Sequence, residues 1–296
     1  MAATAGVMWG ILAIAMKVAI KFSDAITISW FRSFFSFIIL SIYLSLKNKE
    51  TFSVFKRPPL YGILSSLFLL GNYLGYVKGI EFTNPNLAQV MIQLAPMILV
   101  VLGLVFFNEK MTKLQVLGFA ICLFGFFLFY HEQLITILDR ELSHEFQIGV
   151  LCLIGASFSW ALYGAFQKKM HGKFSTSEIN LLLYAVPSLF LIPIINFSSL
   201  IHLNFLQWLM MIFLGINTIV AYTAIAEAFK YLPTNQVSII VTLNPLLTIF
   251  IMSILSWCEV SWIKSQPVSF LGLIGAMLVI LGAVIVLSRP RYSQAI

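Results

Sequence analysis

The chain has 296 residues, of which 60% are apolar and only 10% are charged, and its mean hydropathy is +0.97. A soluble domain carries roughly 25% charged residues to cover its surface, so this composition excludes a water-soluble fold and predicts a protein surrounded by lipid. The net charge of +7 does not indicate nucleic acid, because excess Lys and Arg in a membrane protein mainly record its orientation.

Apolar runs follow one another along the chain, each close to the roughly 20 helical residues that cross a bilayer. None alternates like a membrane β-strand, and helices satisfy their own backbone hydrogen bonds in lipid. The first run lacks a basic leader and is expected to remain as a helix. The fold prediction is therefore an all-α integral membrane protein with ten transmembrane helices. The predicted spans lie near residues 3–22, 27–46, 60–80, 86–107, 113–131, 147–168, 178–196, 206–229, 234–257 and 268–288.

The longest polar connection, "HEQLITILDRELSHEFQ", follows the fifth predicted span and divides the chain into two sets of five. Lys and Arg are more numerous in the even-numbered loops and the C-terminal tail than in the odd-numbered loops. This asymmetry predicts that both termini are cytoplasmic, in a multi-pass protein of the plasma (inner) membrane.

The two sets of five spans carry the same features in the same order. Because each set has an odd number of spans, the second must insert upside down, which is the inverted repeat of many transporters. The matched pairs are Trp9 with Trp160, Tyr73 with Tyr222, Pro96 with Pro245, Glu109 with Glu259, Gly118 with Gly275 and Gly125 with Gly282. The predicted units are a first repeat at 1–131, a polar linker at 132–146, a second repeat at 147–288 and a cytoplasmic tail at 289–296.

These features also carry a family resemblance. Trp9-Gly10 with Lys17, Arg32, the "GIEFTNPNLAQ" turn and the "NEKMT" segment, with their second copies, resemble an EamA-type member of the drug/metabolite transporter superfamily. The resemblance covers essentially the whole chain as two tandem repeats. It implies a carrier whose cavity is lined by spans 1, 3, 4, 6, 8 and 9, with spans 5 and 10 at the periphery, where relatives can form homodimers. It also slightly favours export over uptake.

Uncharged polar residues recur along single faces of the predicted spans, at helical spacing. Any one such stripe is equally well explained by hydrogen bonds between helices. Five stripes on helices expected to line a cavity favour substrate contact. The predicted substrate-binding residues are Asn72, Tyr76, Gln93, Trp160, Tyr163, Asn217, Tyr222 and Asn244.

Two oppositely charged pairs lie three residues apart near helix ends, Glu227 with Lys230 and Lys78 with Glu81. Residues at this spacing share a helix face, so each pair is expected to form an interfacial ion pair. The alternatives are that Glu227 is a proton-coupling or substrate-binding carboxylate, or that the pairs form a gate. Proton coupling is therefore one hypothesis for the energy source.

Arg32 lies inside the second predicted span, where it cannot easily reach water. It is expected to pair with another group or to bind a backbone carbonyl. A role in binding an anionic substrate stays open both for Arg32 and for Lys17 near the end of the first span.

Pro96 and Pro245 fall in matched spans and are predicted to kink their helices. Such a kink is useful where a helix lines a cavity and must flex. Glu109 follows the first of these spans. It is expected to cap or steady the next helix, beside Lys110 and Lys113.

Other chemistry is sparse. The four His and three Cys lack metal-ligand spacing, and no phosphate-binding loop is present, so no metal, no cofactor and no enzymatic activity are predicted. The predicted function is secondary active transport, by alternating access, of a small polar organic metabolite, with an amino acid or a related compound favoured. The alternatives are an intramembrane enzyme acting on a lipid-linked substrate and a non-transporting scaffold or receptor.

Overall fold

The structure is a computed structural model, and it describes residues 1–47, 49–83, 88, 91–129, 131, 135, 143–244, 246–247, 251, 254, 258 and 269–287. Within these ranges the chain is helical and forms no β-strand. Most of the predicted linker at 132–146 and all of the tail at 289–296 fall outside the described residues. The principal helices are α1 (Ala2–Ala19), α2 (Ala25–Lys47), α3 (Leu60–Phe82), α4 (Leu94–Phe106), α5 (Lys113–Phe129), α6 (His144–Met170), α7 (Thr176–Phe190), α8 (Phe205–Tyr231), α9 (Thr234–Thr242) and α10 (Phe270–Leu287).

Polar side chains mark where several of these helices begin. The Ser175 hydroxyl accepts the backbone N–H of Glu178 at the start of α7, while the Glu178 side chain accepts the N–H of Ser175. Asn204 and Gln207 exchange the same two bonds at the start of α8. Such capping boxes satisfy the first N–H groups of a helix, and here they end the loops and start the apolar segments.

The outer surface of the helices is apolar. Large side chains such as Leu46, Phe124 and Phe127 are more than half exposed, which lipid satisfies and water does not. Five described segments are long and apolar enough to cross a membrane, judged by length and composition: Ile26–Lys47, Leu60–Phe82, His144–Met170, Thr176–Ile194 and Phe205–Tyr231. The remaining principal helices are shorter, so the number of ten spans stays a prediction.

Contacts between helices follow a paired pattern. The most extensive packing joins α3 to α6, α5 to α10 and α1 to α8, and further contacts join α2 to α7, α2 to α8 and α3 to α7. Exchanging the first five helices with the last five turns the α3–α6 pair into the α8–α1 pair. The same exchange turns α2–α8 into α7–α3 and leaves α5–α10 unchanged.

Four glycines allow α5 and α10 to pack at close range. A Cβ atom on Gly118 would lie 2.9 Å from the carbonyl oxygen of Gly282, and one on Gly125 would lie 2.7 Å from that of Gly275. The order of these contacts shows that the two helices run antiparallel. Only a residue without a side chain permits this approach, which is how membrane helices gain packing energy without a hydrophobic driving force.

A leucine in place of Gly125 should therefore destabilise the protein. The new side chain would meet the Gly275 carbonyl and the Val279 backbone nitrogen, which cannot move aside as a flexible side chain would. Overpacking of this kind costs about 1–3 kcal/mol, and thermal unfolding in detergent measures it.

Gly155→Leu in α6 is the matched control, because a Cβ atom there meets nothing within 4 Å. Equal melting temperatures for Gly125→Leu and Gly155→Leu would contradict the close α5–α10 contact.

Candidate functional site

A cavity of about 190 Å³ lies between the two halves of the helix bundle. Its wall comes from α1, α2, α3, α4, α6, α8 and α9, and it includes Ile20 and Ile80 near the ends of α1 and α3. The cavity therefore reaches toward the end of the bundle where these two helices finish. Most of the wall is apolar or aromatic, with a few polar groups between, which is typical of a site for a small molecule.

An aromatic cluster centred on Tyr222 contributes Trp9, Tyr73 and Tyr222 to the cavity wall. The Tyr222 ring makes edge-to-face contacts with Trp9 at 5.8 Å, Tyr163 at 6.0 Å, and Tyr73 and Tyr184 at 6.5 Å. Such contacts contribute about 0.5–1.5 kcal/mol each beyond area burial, so they stabilise this part of the cavity wall.

The structure brings six of the eight predicted substrate-binding residues to the cavity wall, and it places the other two elsewhere. Tyr163 belongs to the aromatic cluster, but it is fully buried and does not line the cavity. The Asn217 amide donates to the carbonyl oxygen of Met8 at 2.8 Å, so this side chain joins α8 to α1. The six residues at the wall are Asn72, Tyr76, Gln93, Trp160, Tyr222 and Asn244.

Trp9 and Tyr73 line the cavity, although neither is among the predicted substrate-binding residues. The repeat contained the signal, since it matches Trp9 with Trp160 and Tyr73 with Tyr222. The structure brings each matched pair into ring contact, at 5.8 Å and 6.5 Å.

The helix that carries Gln93 is interrupted at the cavity. Met91 is helical, Ile92 and Gln93 form a turn, and α4 begins at the next residue. The Ser157 hydroxyl of α6 donates to the Met91 carbonyl at 2.9 Å and satisfies a group that the interruption leaves outside a continuous helix. The interruption therefore places the amide of a nearly buried Gln93 in the cavity wall.

Proline follows this interruption rather than standing within a continuous helix. Pro96, predicted to kink its helix, lies in the first turn of α4, where a helix does not need the missing N–H. In the second half α9 ends at Thr242 and Leu243 forms a turn. Pro245, the other predicted kink, lies outside the described residues.

The opposite end of the bundle is held by the Glu109 carboxylate. Its Oε1 atom accepts from the Lys168 ammonium at 2.5 Å and from the Thr234 backbone N–H at 2.9 Å. Its Oε2 atom accepts from the Thr234 hydroxyl at 2.7 Å and from the Asn235 N–H at 3.3 Å. We call these four residues the latch. It joins the loop after α4, in the first half, to the end of α6 and the start of α9, in the second.

The expectation that Glu109 caps the next helix is wrong. Thr112 and Gln115 cap α5 themselves, through the bonds Gln115 N–H to Thr112 Oγ1 and Thr112 N–H to Gln115 Oε1. Asn108 adopts a positive φ of 50°, which turns the chain so that Glu109 reaches α9. The N-cap of α9 is Pro233, which has no capping side chain, so Glu109 supplies the cap from the other half.

The electrostatics of the latch keep Glu109 ionised. Burial alone would raise the pKa of Glu109, but Lys168 and the donors of Thr234 outweigh it and hold the pKa of this carboxyl below its usual value. A lowered pKa means that the latch stabilises the protein above the ordinary pKa of about 4.5. This stabilisation is lost as the pH falls through the lowered value.

The latch end also contains Glu227, the predicted coupling residue, which is not part of the cavity wall. Glu227 accepts a hydrogen bond from the Thr176 hydroxyl. Lys230 is exposed and its ammonium lies over the Tyr231 ring at 5.2 Å, so the expected Glu227–Lys230 ion pair is not formed. Burial lowers the pKa of nearby His171 to about 4, with Glu227 acting in the opposite direction, so this imidazole is neutral near pH 7.

Lys78 and Glu81, the matched pair near the end of α3, do form an ion pair at 2.7 Å. Their side chains are 44% and 55% exposed. Exposed pairs of this kind contribute about 0–1 kcal/mol, and because both residues belong to α3 this pair does not join the two halves as the latch does.

Metal-binding chemistry is not visible in the described part of the chain, where no three His, Cys, Asp or Glu residues come together.

A polar and aromatic cavity inside a lipid-facing helix bundle is the architecture of a membrane transporter. The sequence profile of the EamA-like transporter family matches residues 1–131 and 147–288. The chain therefore belongs to this family and is a multi-pass membrane transporter, not an enzyme. The drug/metabolite transporter resemblance is thereby confirmed.

Individual relatives agree with this membership. The chain is 31% identical to the uncharacterized inner membrane transporter YhbE of Escherichia coli (strain K12), covering 96% of this chain and 88% of that one. It is 27% identical to an uncharacterized transporter of Haemophilus influenzae, covering 94% and 90%. A crystal structure of a protein 16% identical to this one has the same fold, with a TM-score of 0.75 over 96% of this chain.

Neutralising Glu109 should open the latch end. Opening is measured by maleimide labelling in a variant whose three native cysteines are replaced by serine and whose Leu99 is replaced by cysteine. Leu99 is fully buried and lies on α4 between the cavity and the latch, so labelling of a cysteine there reports opening. Glu109→Gln should accelerate labelling about tenfold or more, because bonds to a charged group contribute about 1.5–3 kcal/mol.

Glu81→Gln removes a carboxylate from the exposed pair at the other end and serves as the control. Labelling at the same rate in both variants would show that the latch does not hold this end closed. The melting temperature provides a pH check, since the gap between wild type and Glu109→Gln should be present at pH 7 and vanish in acid.

Proposed function

We propose that the protein is a secondary active transporter that works by alternating access and moves a small polar organic metabolite, with an amino acid or a related compound favoured. The observation that carries this proposal is the difference between the two ends of the bundle. The cavity reaches toward one end, while at the other end the latch bonds the two halves together. A carrier captured in one of its two states has this asymmetry.

The proposed mechanism needs two halves that can exchange roles, and we propose that they are inverted repeats of five helices each. The packing supports this proposal, because the principal helix pairs map onto one another when the halves are exchanged. The helix interruptions before Pro96 and before Pro245 occupy matched places. Discontinuous helices at the centre of inverted repeats are where transporters bind substrate.

We propose that the substrate is held by amides and rings together. Asn72, Gln93 and Asn244 supply polar groups, while Trp160 and Tyr222 supply flat apolar surface. The Asn72 amide donates to the Ala156 carbonyl at 2.9 Å, and this bond fixes the orientation of the Asn72 side chain. The Asn72 side-chain oxygen is not used in this bond and can accept from another group. An amino acid or a related compound, with a small polar part and an apolar part, suits this arrangement.

We further propose a location in the inner membrane with both termini in the cytoplasm, on the basis of the charge asymmetry of the loops. In that orientation the latch closes the cytoplasmic side and the cavity faces outward. Export, slightly favoured by family resemblance, would then require the latch to open for loading.

Transport itself is measurable in liposomes that contain the purified protein and a mixture of unlabelled amino acids. Uptake of the labelled mixture by exchange should exceed that of empty liposomes. Gln93→Leu should reduce the exchange about tenfold or more, because it removes a polar contact and leaves its partner unpaired.

Gln147→Leu, at an exposed position at the start of α6, is the matched control and should exchange as wild type does. Exchange no faster than in empty liposomes would refute amino-acid transport.

Proton coupling through Glu227 is a separate proposal. Glu227→Gln should abolish transport driven by a pH gradient while ligand binding, measured by thermal shift, persists. The wall of the cavity does not contain Glu227, so its protonation would act on the opening of the latch end. Glu81→Gln should retain both properties, and full pH-driven activity in Glu227→Gln would end the coupling role.

A further inference from the structure

Arg32 of α2 is a buried cation in the wall of the cavity. Arg32 is only 5% exposed. The Nε atom donates to the Thr218 hydroxyl oxygen at 2.9 Å, and the guanidinium carbon lies 5.8 Å from the centre of the Tyr73 ring. The Thr218 hydroxyl donates in turn to the Leu214 carbonyl, so its oxygen is oriented to accept from Arg32. These contacts hold the guanidinium in place without neutralising it.

No carboxylate in the described part of the chain balances this charge. The described ion pairs join Lys78 to Glu81 and Lys168 to Glu109, and neither pair is part of the cavity wall. Among the described residues of the wall, Arg32 is the one that carries a charge. An ionised group inside a membrane protein is costly unless an anion compensates it, so its retention at a cavity indicates a functional partner.

The guanidinium also has donors left for a ligand. It carries five N–H groups, and the described bonds use the Nε–H and one Nη1–H, the latter weakly, to the Met16 sulfur at 3.9 Å. Three N–H groups therefore remain, enough for the two parallel bonds that a carboxylate makes with an arginine. A phosphate monoester carries about −1.5 to −2 charges at neutral pH, which one arginine would not balance.

We infer that Arg32 binds the carboxylate of the transported compound and thereby restricts the substrate to molecules with a carboxylate group. This inference rests on the proposed transport function and deepens it, because it names the substrate group that the cavity recognises. Arg32 is then the residue that determines specificity, while the rings of Trp9, Trp160 and Tyr222 contact the apolar remainder.

The test compares carboxylates with matched compounds that lack the charge. The purified full chain is titrated with the twenty amino acids, with their amides and with the amines that lack the carboxyl group, and thermal shift reports binding. The expected result is that wild type binds one or more acids and binds their amides and amines about 10- to 100-fold more weakly.

Two variants address Arg32 directly. Arg32→Gln should remove the preference for acid over amide, and Arg32→Lys should retain part of it, since lysine keeps the charge and loses the planar fork. Arg57→Gln, at an exposed position between α2 and α3, is the control and should bind as wild type does. If Arg32→Gln fails to fold, the comparison of acids with amides on wild type still decides the inference.

The possible outcomes separate this inference from the function on which it rests. Equal binding of acids and amides, or unchanged acid binding by a folded Arg32→Gln, would overturn the role of Arg32 and leave amino-acid-like transport standing. If no acid, amide or amine binds wild type, the proposed substrate class falls and the inference falls with it.

Discussion

Polar groups inside a membrane need partners within the protein, and this constraint organises the whole bundle. Where a side chain on one helix bonds to a backbone carbonyl or hydroxyl on another, it fixes how the two helices pack. The Asn72 amide joins α3 to α6, the Asn217 amide joins α8 to α1, and Arg32 joins α2 to Thr218 of α8. The cavity is the place where such groups meet without satisfying one another completely. Asn72 and Arg32 both line this cavity, so the bonds that join the helices also fix the orientation of polar groups in its wall.

The two ends of the bundle differ in the strength of their connections. At one end a single carboxylate, Glu109, accepts four hydrogen bonds and is largely shielded from water. At the other end the exposed Lys78–Glu81 pair lies within α3 and does not join the two halves, and the cavity reaches toward that side. In alternating access, one state is held by connections at one end and the other state by connections at the other end. The two states must have similar free energies, so that a ligand can shift the population between them. The latch contributes to one side of that balance, because its bonds join the two halves.

Much of the architecture could be predicted from composition and periodicity, whereas the functional geometry could only partly be predicted. Apolar runs located the helices, and the repeat marked Trp9 and Tyr73 through their matches with Trp160 and Tyr222. In a membrane protein, however, a stripe of polar residues on a helix can either face a cavity or form hydrogen bonds with a neighbouring helix. The sequence pattern is the same in both cases. For this reason Asn217 was predicted to bind substrate, whereas its amide bonds α8 to α1. The partner of Glu109 was out of reach because Thr234 lies far along the chain and only the folded bundle brings it near.

For a transporter of the kind proposed, we expect the two ends of the bundle to open and close in opposition. Distances between paired spin labels test it most directly, with labels at Lys110 and Lys173 for the latch end and at Lys21 and Glu81 for the cavity end, all in loops or at exposed positions. On adding a transported ligand, we expect two populations in which a longer distance at the latch end accompanies a shorter one at the cavity end. A single unchanged distance at both ends, with ligand bound, would contradict it.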